Sequence, residues 1–71
     1  MTTFYGPLVR VRHSMLDAMY YVEVKQVDDV WKTVSTYDEM SNGFARTEAH
    51  ARAQAVRSQL LERENVLPPT A

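Results

Sequence analysis

The sequence predicts a single α+β domain in which a three-stranded antiparallel sheet packs against one C-terminal helix. Three runs of alternating or β-branched residues precede a long stretch without Gly or Pro, and this order is typical of a β-β-β-α chain. At 71 residues the chain has room for one domain, which we assign to residues 1–71. We expect strands at about residues 8–13, 19–27 and 30–38, and a helix at about residues 48–64.

The three strands follow from side-chain alternation and β propensity. The first run, LVRVRH, alternates apolar and basic residues with period two, while MYYVEVKQV and VWKTVSTY are rich in β-branched and aromatic residues. Asp28-Asp29 lies between the last two runs and predicts a two-residue hairpin turn. With that register, one face of the sheet carries the residues that we expect in the core: Tyr20, Val22, Val24, Trp31 and Tyr37.

The helix is predicted after the break at Ser41-Asn42-Gly43, with Thr47 as N-cap and Glu48 in the first turn. At about 100° per residue, one narrow arc of this helix faces the sheet. That arc carries Ala45, Ala49, Ala53, Val56, Leu60 and Leu67. We expect flexible ends at residues 1–4 and, beginning with the helix-breaking prolines, at residues 68–71.

Composition excludes several classes of protein. Apolar residues make up 45% of the chain and charged residues 24%, as in globular proteins, and the net charge is −1. Without Cys the chain has no disulfide and no thiolate metal site, and two His alone do not make a structural metal centre, so we expect no metal and no cofactor. No run approaches the ~20 apolar residues of a membrane span, and we expect a cytoplasmic protein without membrane contact.

The polar residues do not predict an enzyme. His13, Ser14 and Asp17 lie close together in sequence, but a catalytic triad needs a rigid framework that positions its members from separate segments. Glu48 and His50 are two residues apart and therefore do not share a helix face.

Apolar residues in and near the loops predict a protein interface. Met15, Leu16 and Met19 lie in or beside the connection between the first two strands, where polar residues are usual. With Tyr5, Phe44 and Leu61 they form the predicted protein-binding set. We expect a non-enzymatic protein-binding module, a small effector of phage type that binds and modulates a host protein. A second copy of the chain is the other expected partner, because one helix leaves a sheet face and two sheet edges uncovered and would favour a homodimer.

The alternative function is nucleic-acid binding through the sheet. Alternation places Arg10, Arg12, Lys25 and Lys32 on the face opposite the core, together with Tyr21. Glu23 lies among these basic residues, and the overall negative charge also disfavours this interpretation.

Residues 42–53, NGFARTEAHARA, follow paired strands and open a helix. From the second strand onward the chain resembles the arm-binding domains of phage-type tyrosine integrases, which pack a three-stranded sheet on a C-terminal helix and present the sheet to DNA. Phe44, Thr47, Glu48 and Ala49 correspond to the aromatic strand end, the Thr and the Glu-Ala helix start of that family. The resemblance implies this fold, a sheet-borne nucleic-acid site and a phage or mobile-element origin.

Overall fold

The computed structural model describes residues 1–66, with side chains described as far as Leu61. Its elements are β1 Thr2–Phe4, β2 Val9–Ser14, β3 Met19–Lys25, β4 Trp31–Asp38 and α1 Ala45–Val66. The strands form one antiparallel sheet in the order β1-β2-β3-β4. The α+β class with one C-terminal helix is confirmed, whereas the expected number of strands is wrong, because the sheet has four. Leu67 and the expected flexible end at residues 68–71 lie outside the described residues.

The additional strand is β1, where we expected a flexible end at residues 1–4. Thr3 pairs with Val11, which adds β1 to the free edge of β2. The turn between the two strands uses Gly6 in the left-handed region, at φ 78°, where only glycine has no steric penalty. The backbone N–H of Tyr5 donates to the carbonyl of Val9 at 2.8 Å and closes this turn.

The core forms where α1 crosses the sheet. Ala49 and Ala53 are fully buried against Val9, Val11 and Val22. Alanine side chains let the helix backbone approach the valines closely. Both alanines belong to the arc of the helix that we expect to face the sheet. Tyr20, Val24, Tyr37, Val56 and Leu60 pack around this cluster, which confirms their predicted place in the core.

Trp31 does not belong to the core, because a β-bulge changes the register of β4. Tyr20 pairs with Tyr37 and Val22 with Ser35, as the two-residue turn predicts, but Glu23 then pairs with Thr33. Val34 is therefore an extra residue, and every pair nearer the turn is shifted by one. Trp31 consequently pairs with Lys25 on the face away from α1.

The turn between β3 and β4 is the second cause of this change in register. Three residues, 27–29, connect the strands instead of two, since Gln26 N–H donates to the carbonyl of Val30 at 2.8 Å. Asp29 adopts a left-handed conformation, at φ 66°, as the last residue of such three-residue loops does. Lys32 follows Trp31 and therefore lies on the helix-facing side of the sheet, where it pairs with Val24.

The helix begins three residues earlier than expected, at Ala45. Asn42, not Thr47, organises its start: the side-chain carbonyl of Asn42 accepts the N–H of Phe44 at 2.9 Å, and its amide donates to Glu48 Oε1 at 2.6 Å. Within residues 1–66, no helix combines the length and the apolar character that crossing a membrane requires.

Candidate functional site

Four large apolar side chains extend into solvent from two neighbouring loops. Met15 is 85% exposed, Leu16 100%, Met40 84% and Phe44 72%. The first two lie in the β2–β3 turn and the other two in the β4–α1 connection. Glu39 N–H donates to the carbonyl of Ala18 at 2.9 Å and so joins the two loops. We call Met15, Leu16, Met40 and Phe44 the loop-end patch.

Local hydrogen bonds shape the loops that carry the patch. In the β2–β3 turn, the N–H of Asp17 donates to Ser14 Oγ at 3.4 Å, and Ala18 adopts a left-handed conformation with φ 53°. In the second loop, Asp38 Oδ1 accepts the N–H of Met40 at 2.9 Å. The polar side chains thus bond to the backbone or to each other, and the apolar side chains remain at the tips of the turns.

The structure brings together most of the predicted interface residues. Met15, Leu16 and Phe44 belong to the loop-end patch, and Met19 directly follows its first loop as the half-buried first residue of β3. Met40 was not among the predicted interface residues. The signal that could have found it is a large apolar residue immediately before the Ser-Asn-Gly break.

Tyr5 and Leu61 lie elsewhere. Both line a small cleft of about 120 Å³ beside Pro7 and Leu8, next to the start of β2. The β2–β3 turn follows the other end of that six-residue strand, about 20 Å away at ~3.3 Å per residue. These two residues are therefore not part of the loop-end patch.

Three acidic residues accompany the loop-end patch. Asp17 lies in its first loop, Asp38 is the last residue of β4, and Glu39 begins the second loop. Glu39 contacts Nε2 of His13 through Oε1, while Asp17 accepts a hydrogen bond from the hydroxyl of Tyr21 at 3.3 Å. The apolar side chains of the loop-end patch thus have neighbouring residues with an excess of negative charge.

The second candidate surface is the outer sheet face, the side of the sheet that α1 does not cover. It carries Phe4, Arg10, Arg12, Tyr21, Glu23, Lys25, Trp31 and Thr33. The guanidinium carbon of Arg10 lies 4.1 Å from the centroid of the Trp31 ring, and that of Arg12 lies 4.3 Å from the centroid of the Tyr21 ring. Phe4 is 61% exposed, and its ring centroid lies 6.2 Å from that of Trp31. Arginine stacked on aromatic rings is common both in protein interfaces and in sites that stack nucleobases.

Glu23 neutralises part of the charge on this face. It is only 5% exposed and accepts hydrogen bonds from Arg10 Nε at 2.7 Å and from Arg12 NH2 at 3.3 Å. Desolvation would raise the pKa of the Glu23 carboxyl, but the hydrogen bonds from the two arginines outweigh it and lower this pKa below its ordinary value of 4.5. Glu23 therefore stays ionised and holds both guanidinium groups against their aromatic rings.

The basic face predicted from the sequence is only partly assembled. Arg10, Arg12 and Lys25 share the outer sheet face, but the bulge moves Lys32 to the opposite side. Lys25 forms an ion pair with Asp29 at 3.4 Å, and the two arginines share one carboxylate. The remaining positive charge is small for a surface that would contact several phosphates.

In the described part of the chain, no three His, Asp or Glu side chains are grouped so that they could hold a metal ion. Comparisons with protein-family models, with curated proteins and with solved structures find no match. None of these comparisons supports the integrase resemblance. The strand β1 departs from the three-stranded arrangement of that family, and Phe44 lies in the β4–α1 connection instead of at a strand end.

Proposed function

We propose that this chain is a non-enzymatic protein-binding module that docks through the loop-end patch. The supporting observation is the exposure of Met15, Leu16, Met40 and Phe44 on two hydrogen-bonded neighbouring loops. Single exposed apolar residues are normal on protein surfaces, but a group of four at one end of a small domain is typical of an interaction site. Methionine and leucine side chains adapt to the shape of a partner, and their burial away from water strengthens binding.

The surroundings of the patch indicate the chemistry of its partner. Asp17, Asp38 and Glu39 put negative charge around the apolar tips. We therefore expect an apolar groove rimmed by Lys and Arg on the partner, with the charges setting orientation and the apolar tips providing affinity. In the phage setting that the family resemblance implies, this partner is a host protein whose surface the module occupies.

The experiment compares two exposed positions at opposite ends of the sheet. Leu16→Asp places a charge in the loop-end patch, and Val27→Asp places the same charge at a fully exposed valine in the β3–β4 turn. Immobilised wild type and both variants are incubated with nuclease-treated host lysate, and retained proteins are quantified by mass spectrometry. We expect wild type and Val27→Asp to retain the same protein and Leu16→Asp to lose it. Equal retention by all three would refute docking through this patch.

A second copy of the chain is the other partner that we propose for the same patch. Sedimentation equilibrium over a concentration series measures this directly. A dimer that Leu16→Asp dissociates and Val27→Asp preserves would assign the loop-end patch to self-association. A wild type that stays monomeric would refute the homodimer and leave the patch to a different protein.

The outer sheet face favours a second candidate function, the binding of single-stranded nucleic acid. Arg10 over Trp31 and Arg12 over Tyr21 present stacked planar groups on an uncovered sheet, which is the arrangement that bases can extend. Fluorescence anisotropy with single-stranded DNA and RNA at low salt tests it. Phe4→Ala removes a stacking ring without disturbing Glu23, and Lys32→Ala on the opposite side is the control. Salt-sensitive binding that only Phe4→Ala weakens would support this function, and absence of binding would exclude it.

A further inference from the structure

A cavity of about 260 Å³ lies between the β1–β2 edge of the sheet and the first turns of α1. It is on the helix side of the sheet and is separate from the outer sheet face. Its lining residues are Met1, Thr3, Val11, His13, Tyr20, Arg46 and His50. The volume is below the ~300–1,000 Å³ of pockets that hold drug-sized molecules, so an occupant would be an ion or a very small molecule.

The hydrogen bond between Tyr5 and His50 determines which group His50 offers to this cavity. The Tyr5 hydroxyl and Nδ1 of His50 share a hydrogen bond of 2.5 Å, and the tautomer of the imidazole sets which of the two donates. In the neutral imidazole that accepts this bond, the proton resides on Nε2. With Tyr5 as the donor, His50 has an N–H donor left for an occupant, and Arg46, one helical turn earlier on the same side of α1, adds a charged guanidinium.

The charges around the cavity are mostly positive. Burial lowers the pKa of His50 below its ordinary value of 6.5, and the positive charge of Arg46 lowers it further. Tyr5 of the β1–β2 turn and Tyr20 of β3 face the imidazole of His50. The neighbouring acids have other partners, since Glu39 contacts His13 and Glu48 accepts the amide of Asn42. Among the described residues, no carboxylate forms an ion pair with Arg46.

We propose that this cavity binds a small oxyanion, a phosphate or carboxylate group, between the guanidinium of Arg46 and the Nε2–H of His50. Arginine presents paired N–H donors that match such an anion, and the imidazole adds a third donor from a fixed ring. The hydroxyl of Thr3 on β1 is available to complete the set. Leu16 does not line the cavity, so Leu16→Asp should leave anion binding unchanged.

The test is an NMR titration of the ¹⁵N-labelled chain with inorganic phosphate and, in a second arm, with acetate, at ionic strength held constant with chloride. We expect saturable shifts centred on Thr3, Arg46 and His50, and a rise in the pKa of His50 when the anion is bound. Arg46→Gln should weaken binding by about tenfold, the effect of losing one charge-assisted hydrogen bond. Arg52→Gln, at an exposed position of α1 outside the cavity, is the matched control and should bind like wild type.

The two arms also separate the two kinds of oxyanion, because saturation by only one of them identifies the group that the cavity accepts. Shifts that rise linearly with both anions would overturn the proposal. Equal weakening by Arg46→Gln and Arg52→Gln would also overturn it, because the effect would then come from overall charge.

Discussion

Arg10 donates a 2.7 Å hydrogen bond from Nε to Oε1 of Glu23 on the side of the sheet that α1 leaves uncovered. The same carboxylate accepts hydrogen bonds from Arg12 and from the hydroxyl of Thr33 at 3.3 Å. An acidic residue that is almost completely buried on an otherwise open face thus links three strands. Its partners are also the arginines that stack on Trp31 and Tyr21, so Glu23 organises the outer sheet face.

Glu23→Gln should lower the free energy of unfolding by about 2 kcal/mol, the usual cost of losing hydrogen bonds to a charged group. Because the pKa of Glu23 is lowered in the folded protein, its contribution is present above the unfolded value near 4.5 and is lost as the pH falls through the folded value. Urea denaturation at neutral and acidic pH measures both effects. Glu48→Gln alters one exposed hydrogen bond, to Asn42, and serves as the comparison that should cost less. A wild type and Glu23→Gln of equal stability at neutral pH would contradict the prediction.

The packing of α1 predicts that Ala49 tolerates no larger side chain. Ala49 is fully buried against the core valines, so Ala49→Leu should destabilise the fold by about 1–3 kcal/mol through overpacking. Ala51→Leu makes the same change at an exposed position of the helix and should alter stability by less than about 0.5 kcal/mol. Thermal unfolding followed by circular dichroism compares them. Similar melting temperatures for the two variants would mean that α1 does not pack through its alanine arc.

The position of Trp31 reverses the order of stability effects that the sequence suggests. If Trp31 lay in the core, its replacement by Ala would lower the free energy of unfolding by about 3–5 kcal/mol. On the outer sheet face it stacks with Arg10, and Trp31→Ala should cost only about 1 kcal/mol, while Val22→Ala in the core should cost about 2 kcal/mol. Urea denaturation of both variants gives the order, and a larger loss for Trp31→Ala would place the indole back in the core.

His50 should make stability depend on pH near neutrality. Its pKa is lowered in the folded chain, so the unfolded chain binds the proton more readily. The contribution of neutral His50 to the free energy of unfolding is complete above its pKa of 6.5 in the unfolded chain. This contribution decreases as the pH falls through the lower pKa of the folded chain. Comparing the unfolding free energies of wild type and His50→Gln across this range isolates the effect. A difference between them that does not change with pH would be inconsistent with this assignment.

The parts of the fold that depend on side-chain periodicity were predictable. The alternation of Val9 and Val11 and the spacing of Ala45, Ala49 and Ala53 identify the core faces of a strand and of the helix, because burial imposes those periods. The register of β4 could not be predicted, because the extra residue Val34 looks like any strand valine in the sequence.

The short strand β1 was missed for a similar reason. Three residues, Thr2–Phe4, are too few to show a period, and only the Gly6-Pro7 pair indicates that a turn follows. The bulge then decides which residues share a surface. It places Trp31 beside Arg10 and separates Lys32 from the other basic residues, so the outer sheet face could not be assembled from the sequence.

The loop-end patch was more accessible to prediction, because apolar residues in a turn are visible without any register. Met15 and Leu16 stand between two strands where polar residues are expected, and the structure leaves them exposed. What the sequence lacked was the contact between the loops. The hydrogen bond from Glu39 to Ala18 brings Met40 and Phe44 to the same end, and it depends on the pairing of β3 with β4.

Site-specific photo-crosslinking in host cells tests the central claim most directly. A benzoylphenylalanine is placed at Leu16, at Phe44 or, as the control, at the equally exposed Val27, and adducts are identified by mass spectrometry after irradiation. We predict that positions 16 and 44 crosslink to one and the same protein, a host protein or a second copy of the chain, and that position 27 does not. Adducts of equal yield from position 27, or none from positions 16 and 44, would contradict docking through the loop-end patch.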